Sequence, residues 1–190
     1  MGQVDATNIK KGMKIEIDNA PFNVIQADYV KPGKGQAFTR VKIKNLKSGQ
    51  CLEKTFKSNE KIDLADVEET AMRMLYKDAD GSAVFMDDNT FEQVTIAPLL
   101  FGDEIDKWLK EELVYMIVFY KGEPVDLIPP NIIELTITET APGDRGNTAS
   151  GRVLKPATCD TGAVVQVPIF VGEGEKIRVD TRTGEYISRV

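Results

Sequence analysis

Apolar and polar residues alternate with a period of two along most of this chain. Met13, Ile15 and Ile17 alternate with Lys14 and Glu16, and Val41 and Ile43 alternate with Arg40, Lys42 and Lys44. The same pattern recurs in Glu134-Leu135-Thr136-Ile137-Thr138 and in Lys176-Ile177-Arg178-Val179-Asp180. Successive β side chains point to opposite faces, so each run predicts a strand with one buried face. Turn signals separate the runs: Asp18-Asn19, Pro32-Gly33, Ser48-Gly49, Asp80-Gly81, Lys121-Gly122 and Thr183-Gly184. Short strands with turns every 8 to 12 residues, roughly, predict small barrels rather than layered α/β units. The expected fold class is therefore all-β.

One helix is expected, Asp103 to Leu113, with Gly102 before an N-cap at Asp103, acidic residues in the first turn and an apolar face of Ile105, Trp108 and Leu109. It is read as a plug for a barrel, with Trp108 as a core anchor rather than a ligand platform. Met72 and Met74 are assigned to strand packing. Residues 65–190 are expected to hold two versions of one fold. VYMIVFYKGEPVDL and VQVPIFVGEGEKIRVD each combine an apolar run, a Gly-containing turn and a second strand.

Charge adds a boundary that hydropathy alone does not show. The chain of 190 residues carries a net charge of -6, but the sign changes along it. Residues 1–64 hold 12 Lys/Arg against 7 Asp/Glu, residues 65–127 hold 5 against 15, and residues 128–190 hold 7 against 8. The first seam lies where KIDLADVEET replaces lysines with acids; the second is LIPPN, whose paired prolines stop any regular element. Three domains are expected, 1–64, 65–127 and 128–190. A basic first segment beside a strongly acidic second one suggests a polyanionic partner for one end only.

Composition removes whole classes of chemistry. There is no histidine, and Cys51 and Cys159 lie in no CxxC. Imidazole acid–base chemistry, Ser-His-Asp and Cys-His catalysis and most zinc hydrolases are excluded. No GxGxxG or Walker lysine motif occurs, so no nucleotide cofactor is expected; no catalytic residue and no metal site is expected either. Asp87-Asp88 lacks a third acidic ligand at useful spacing and is read as a turn before Asn89. No apolar run reaches the roughly 18 residues that span a bilayer. The N-terminal MGQVDATNIKKG has neither a signal-peptide core nor transit-peptide character, so a cytoplasmic protein without membrane association is expected.

The chemistry-bearing candidate is a loop. Lys31-Pro32-Gly33-Lys34-Gly35-Gln36-Ala37-Phe38 lies between FNVIQADYV and AFTRVKIKNL, which read as two strands of a hairpin. Pro32-Gly33 suits a type II turn, with Gly33 taking the positive φ. Lys34 stands between glycines with no neighbouring side chain to shield it, an arrangement suited to inserting one amine into a narrow polyanionic cleft. A solvated turn lysine is the competing reading of the same residues. Arg40, Lys42 and Lys44 share one strand face, which either lines RNA or is simply hydrated.

KPGKGQAF after a strand ending in DYV, followed by TRVKIKNL, closely resembles the hairpin of bacterial translation elongation factor P. The run from Lys155 to Gly174, with KPAT, TGA and VP in place, resembles that family's C-terminal signature, and residues 179–190 resemble its terminus. The resemblance covers the whole chain. It implies an SH3-like (KOW-like) barrel followed by two OB-fold barrels in an L-shaped, transfer-RNA-like arrangement. It also implies a factor that does no chemistry itself, binds the bacterial ribosome between the peptidyl and exit sites, and relieves stalling at consecutive prolines. The archaeal and eukaryotic relative is the hypusine-bearing initiation factor, which lacks the third domain.

The same resemblance assigns roles to residues. Lys34 matches the tip position that is extended after translation, usually by β-lysylation through a paralogue of lysyl-tRNA synthetase. The rhamnosyl-arginine variant is excluded by residue type, whereas an aminopentanol-extended lysine is not. Lys31, Pro32, Gly33, Lys34 and Gly35 would contact peptidyl-tRNA at the peptidyl-transferase centre, whereas the RNA role of Arg40, Lys42 and Lys44 rests on their shared strand face alone. Gly146-Asn147-Thr148 matches the family's Gly-Asp-Thr element that faces messenger RNA in the exit site, with Asn in place of Asp. Implied partners are ribosomal RNA, exit-site ribosomal proteins, peptidyl-tRNA and mRNA, met by a monomer. The alternative from another class is a general OB-fold RNA-binding or chaperone-like protein whose hairpin lysine is never modified.

Overall fold

In a computed structural model, residues 2–142 and 153–190 are described, and they form three antiparallel-rich sheets. The first contains β1 (Gln3–Asp5), β2 (Lys14–Ile17), β3 (Ala20–Val30), β4 (Phe38–Asn45), β5 (Cys51–Lys57) and β6 (Lys61–Leu64), in the order β1-β6-β2-β3-β4-β5. Its alternation is the expected one: Ile15, Val24, Val41 and Ile43 are fully buried, while Arg40 and Lys42 on the opposite face of β4 are exposed. Asp18 and Asn19 both take positive φ (51° and 60°) between the paired residues Ile17 and Ala20. That two-residue left-handed turn matches the twist of the strands it joins.

The second sheet contains β7 (Val67–Lys77), β8 (Ala83–Met86), β9 (Gln93–Ile96), β10 (Val114–Tyr120) and β11 (Glu123–Ile128), ordered β11-β10-β7-β8-β9. The third contains β12 (Ile132–Thr140), β13 (Leu154–Cys159), β14 (Val164–Pro168), β15 (Lys176–Asp180) and β16 (Glu185–Arg189), ordered β14-β13-β12-β15-β16. Numbered within each sheet, both read 5-4-1-2-3, so residues 65–190 do hold one topology twice. The two fragments that suggested this are not equivalent, however. VYMIVFYKGEPVDL is the fourth and fifth strands of one sheet, and VQVPIFVGEGEKIRVD is the third and fourth of the other. The shared apolar-turn-strand pattern is common to any small barrel, which is why it aligned the wrong pair. Met72 and Met74 pack inward on β7, at 4% and 2% exposure.

The expected helix is displaced. Helical turns run Pro98–Asp106, broken at Gly102 (φ 61°, ψ 177°), and residues 107–113 form turns instead. The reason lies on β10. The Tyr115 hydroxyl donates to the Trp108 carbonyl (2.7 Å) and accepts the Lys110 amide N–H (2.8 Å), so backbone groups that a continuing helix would pair along its own axis are taken by a side chain. Burial pushes the Tyr115 phenol up to about 12, against the opposing effect of the Lys110 hydrogen bond, so it stays neutral. Tyr115→Phe leaves the Lys110 N–H and Trp108 carbonyl without that partner. It is expected to cost about 1–3 kcal/mol of stability, measured by chemical unfolding.

Trp108, 4% exposed, is a core anchor as expected, but for the third sheet. It clusters with Ile133, Leu135, Ile137, Val165 and Ile177. The described chain divides into two compact units, residues 1–70 with 117–127 and residues 71–116 with 128–190.

Candidate nucleic-acid interface

The β3–β4 hairpin carries the site. β3 is 11 residues long and pairs antiparallel with β4 from Phe22↔Asn45 to Val30↔Phe38, with a register shift between Val24 and Gln26. The pairing ends at Val30↔Phe38, leaving residues 31–37 as the tip. Its base is tied to the next turn: the Ser58 amide donates to the Ala37 carbonyl (3.0 Å) and Gln36 Nε2 to Asn59 Oδ1 (3.4 Å). Thr39, just inside the base, is buried, and its hydroxyl has no hydrogen-bond partner among the described residues.

Lys31, Gly33, Lys34 and Gly35 are exposed and Pro32 is half-buried. Lys34 has no ion-pair or hydrogen-bond partner among the described residues. The turn differs from the expected type II geometry, because the positive φ falls on Gly35 (120°) and not on Gly33. A seven-residue tip is too long for one four-residue turn to close it, so the backbone reverses at the later glycine. Lys34 therefore sits immediately before the left-handed residue, and at Gly35 a side chain would be strained whatever the space around it.

Arg40, Lys42 and Lys44 continue from the tip down β4, Arg40 and Lys42 exposed and Lys44 half-buried. They stand opposite Asp28, Gln26 and Asn23 on β3, and opposite Thr55, Glu53 and Cys51 on β5. Asp28 and Glu53 weaken the local positive field, yet neither forms an ion pair with these three among the described residues. The structure thus gathers Lys31, Lys34, Arg40, Lys42 and Lys44 on a single ribbon. Gly146, Asn147 and Thr148 lie outside the described residues.

The other candidates resolve as structural. Asp87 Oδ1 accepts the Asn89 amide (2.7 Å) and the Thr90 amide (3.3 Å), holding a turn. Asp88 pairs with Arg73 at 2.7 Å, and that hydrogen bond holds its carboxyl below the usual carboxylate range. Among the described residues no group of three or more His, Cys, Asp or Glu is placed to hold a metal ion. Cys51 is exposed, whereas Cys159 is buried, and burial followed by the Asp160 charge pushes its thiol up to about 11. No helix among the described residues is long and apolar enough to cross a membrane.

Family models match along the whole chain: the elongation factor P KOW-like domain at residues 5–62, the OB domain at 67–127 and the C-terminal domain at 133–189. "Elongation factor P 2" of Protochlamydia amoebophila (strain UWE25) is 54% identical over 190 residues, 100% of this chain and 99% of that protein. The chain belongs to the elongation factor P family. "Elongation factor P 2" of Chlamydia trachomatis serovar D is 53% identical, again over 100% of this chain and 99% of its own length. Elongation factor P proteins are translation factors and not enzymes, and this chain is a translation elongation factor. Among solved structures, the "Eukaryotic translation initiation factor 5A from Methanococcus jannaschii" superposes with a TM-score of 0.51 at 21% identity. It covers 67% of this chain and 94% of its own, a likeness of fold.

Proposed function

We propose that this elongation factor binds the bacterial ribosome between the peptidyl and exit sites and promotes peptide-bond formation at consecutive prolines, by positioning peptidyl-tRNA with Lys34. The observation that carries this reading is the exposed Lys34, without a partner among the described residues, at a seven-residue tip with a basic strand behind it. Proline has a locked φ and a poor geometry for transfer, so productive alignment of the reacting ends is rare. Orientation of such ends is worth up to roughly 7–11 kcal/mol in ideal cases. A long cation laid along the tRNA backbone supplies part of it.

The reading extends to the rest of the chain. Domains span 1–64, 65–127 and 128–190, and one family model falls within each. Lys34 is lengthened by β-lysylation, through a lysyl-tRNA synthetase paralogue. Lys31, Pro32, Gly33 and Gly35 shape the approach to the tRNA end, and Gly146-Asn147-Thr148 faces mRNA in the exit site. The factor acts as a cytoplasmic monomer. Mass spectrometry of the tryptic peptide containing Lys34, taken from native cells, tests the modification; an unmodified lysine there favours the plain RNA-binding alternative.

Phosphate contacts release counterions, so ribosome affinity is expected to fall steeply with salt. Charge reversal of Lys42 and Lys44 weakens binding, whereas Asp87→Asn does not. Filter binding over a salt series checks both, and salt-independent affinity or the reverse ranking counts against the interface.

A further inference from the structure

Strand β2 is held on both faces. Ile15 points into the first sheet's core, fully buried, while Lys14 and Glu16 on its other face meet the β10–β11 ribbon within the same compact unit. Lys14 Nζ donates to Asp126 Oδ2 on β11 (2.6 Å) and to Asn23 Oδ1 on β3 (3.1 Å), with the Lys14 and Asp126 side chains only 11% and 19% exposed. The Tyr120 hydroxyl on β10 donates to Glu16 Oε2 (2.7 Å). Beneath these bonds Leu46, Ala65 and Val67 pack on Val118, Tyr120 and Val125.

An apolar contact of this size is non-directional and lets one surface slide on another. Two charge-assisted bonds with fixed partners select one register, the best-attested use of a part-buried ion pair. Lys14 also reaches Asn23, which lies on the strand that ends at the tip loop. We infer that Lys14, Asp126, Glu16 and Tyr120 are positioning residues: they lock the first barrel onto the β10–β11 ribbon and so set the direction of the 31–37 loop. The lever is long. Seven residues separate Asn23 from Val30, about 23 Å at roughly 3.3 Å each, so about 10° of play at β2 moves the loop by roughly 4 Å. A displacement near 1 Å can cost on the order of 100-fold where geometry limits a reaction.

The consequence for translation rests on the proposed function, but the lock itself is measurable without it. Cys51 on β5 is an exposed native thiol and Cys159 is buried, so Glu123→Cys adds a second label site on β11; it removes the exposed Lys47–Glu123 pair from the labelled parent and from every variant alike. Pulsed electron resonance between labels at 51 and 123 reads the barrel–ribbon distance. In the labelled parent a single narrow distribution is expected. Lys14→Met should broaden or shift it, as should the milder Asp126→Asn, and the charge swap Lys14→Asp with Asp126→Lys should narrow it again. In reconstituted synthesis of a proline-run reporter, Lys14→Met should lower the maximal rate at least tenfold while the half-saturating factor concentration changes less than about threefold. The swap should recover most of that rate. Unchanged distance widths in both single variants overturn the lock, whatever the translation result. Changed widths with an unchanged maximal rate overturn its role in aiming the loop. A parent that fails to accelerate the reporter refutes the proposed function and leaves the distance test standing.

Discussion

Lys34→Ala is expected to reduce proline-run synthesis to the rate without factor, while folding stability changes by no more than about 0.5 kcal/mol, as for other exposed surface sites. Lys34 has no partner among the described residues, so truncation leaves neither a cavity nor an orphaned buried group. Most of the basic ribbon survives in Arg40, Lys42 and Lys44, so ribosome binding persists in weakened form. Ordinary peptide synthesis should barely change. Lys34→Arg separates two versions of the mechanism: it keeps the charge but is not the amine that a lysylating enzyme extends. Failure of both variants in the reporter supports a modified lysine. Rescue by arginine to the parent level refutes modification in favour of plain electrostatics, and full activity of Lys34→Ala refutes the positioning role altogether.

Trp108→Ala should have the largest effect on stability, a loss of about 3–5 kcal/mol. The rest of the buried core that Trp108 enters is aliphatic apart from Cys159, with Ile133, Leu135, Ile137 and Ile177 beside the smaller Ala157, Ala163, Val165, Val167 and Val171, and Tyr186 only half-buried at its edge. Among the described residues no second ring is buried within this cluster to fill the space. Gly184, in the turn between β15 and β16, lies at ordinary packing distance from the ring: a Cβ there would sit 3.9 Å from the indole Cζ2. Lys107 lies 5.1 Å from the ring centre and contributes a smaller cation–π attraction. Because the loss belongs to one unit, hydrogen exchange is the right measurement. Protection should fall in β12, β13 and β15 and persist in β2, β3 and β4. Uniform loss across all sheets would mean that the chain unfolds as one cooperative block, and no loss would mean that the ring is not an anchor.

Strand alternation, the turn at Asp18-Asn19 and the exposure of the Lys34 loop were legible in the sequence because each depends on a few adjacent residues. Period-two burial is a property of a strand's own pleat, and a two-residue reversal has few backbone solutions. The motifs of the hairpin and C-terminal segment were likewise contiguous, and they were enough to indicate the family. Where local rules competed, the sequence misled. Pro32-Gly33 is a good type II turn in isolation, but the longer tip placed its left-handed residue at Gly35.

Tertiary structure decided everything that joins distant residues. The helix read over Asp103–Leu113 did not form with those caps: the helical turns start at Pro98 after Ala97, with no acidic residue in their first turn, and beyond Asp106 Tyr115 holds the backbone of Trp108 and Lys110. Trp108 could be recognised as a core residue, since a buried indole is worth several times an exposed one, but nothing local said which core. Lys14 and Asp126 are 112 positions apart, and alternation alone reads both as ordinary outward residues. Hydrophobic patterning selects a face, whereas partnership across that face depends on the geometry of other strands, which sequence spacing does not encode.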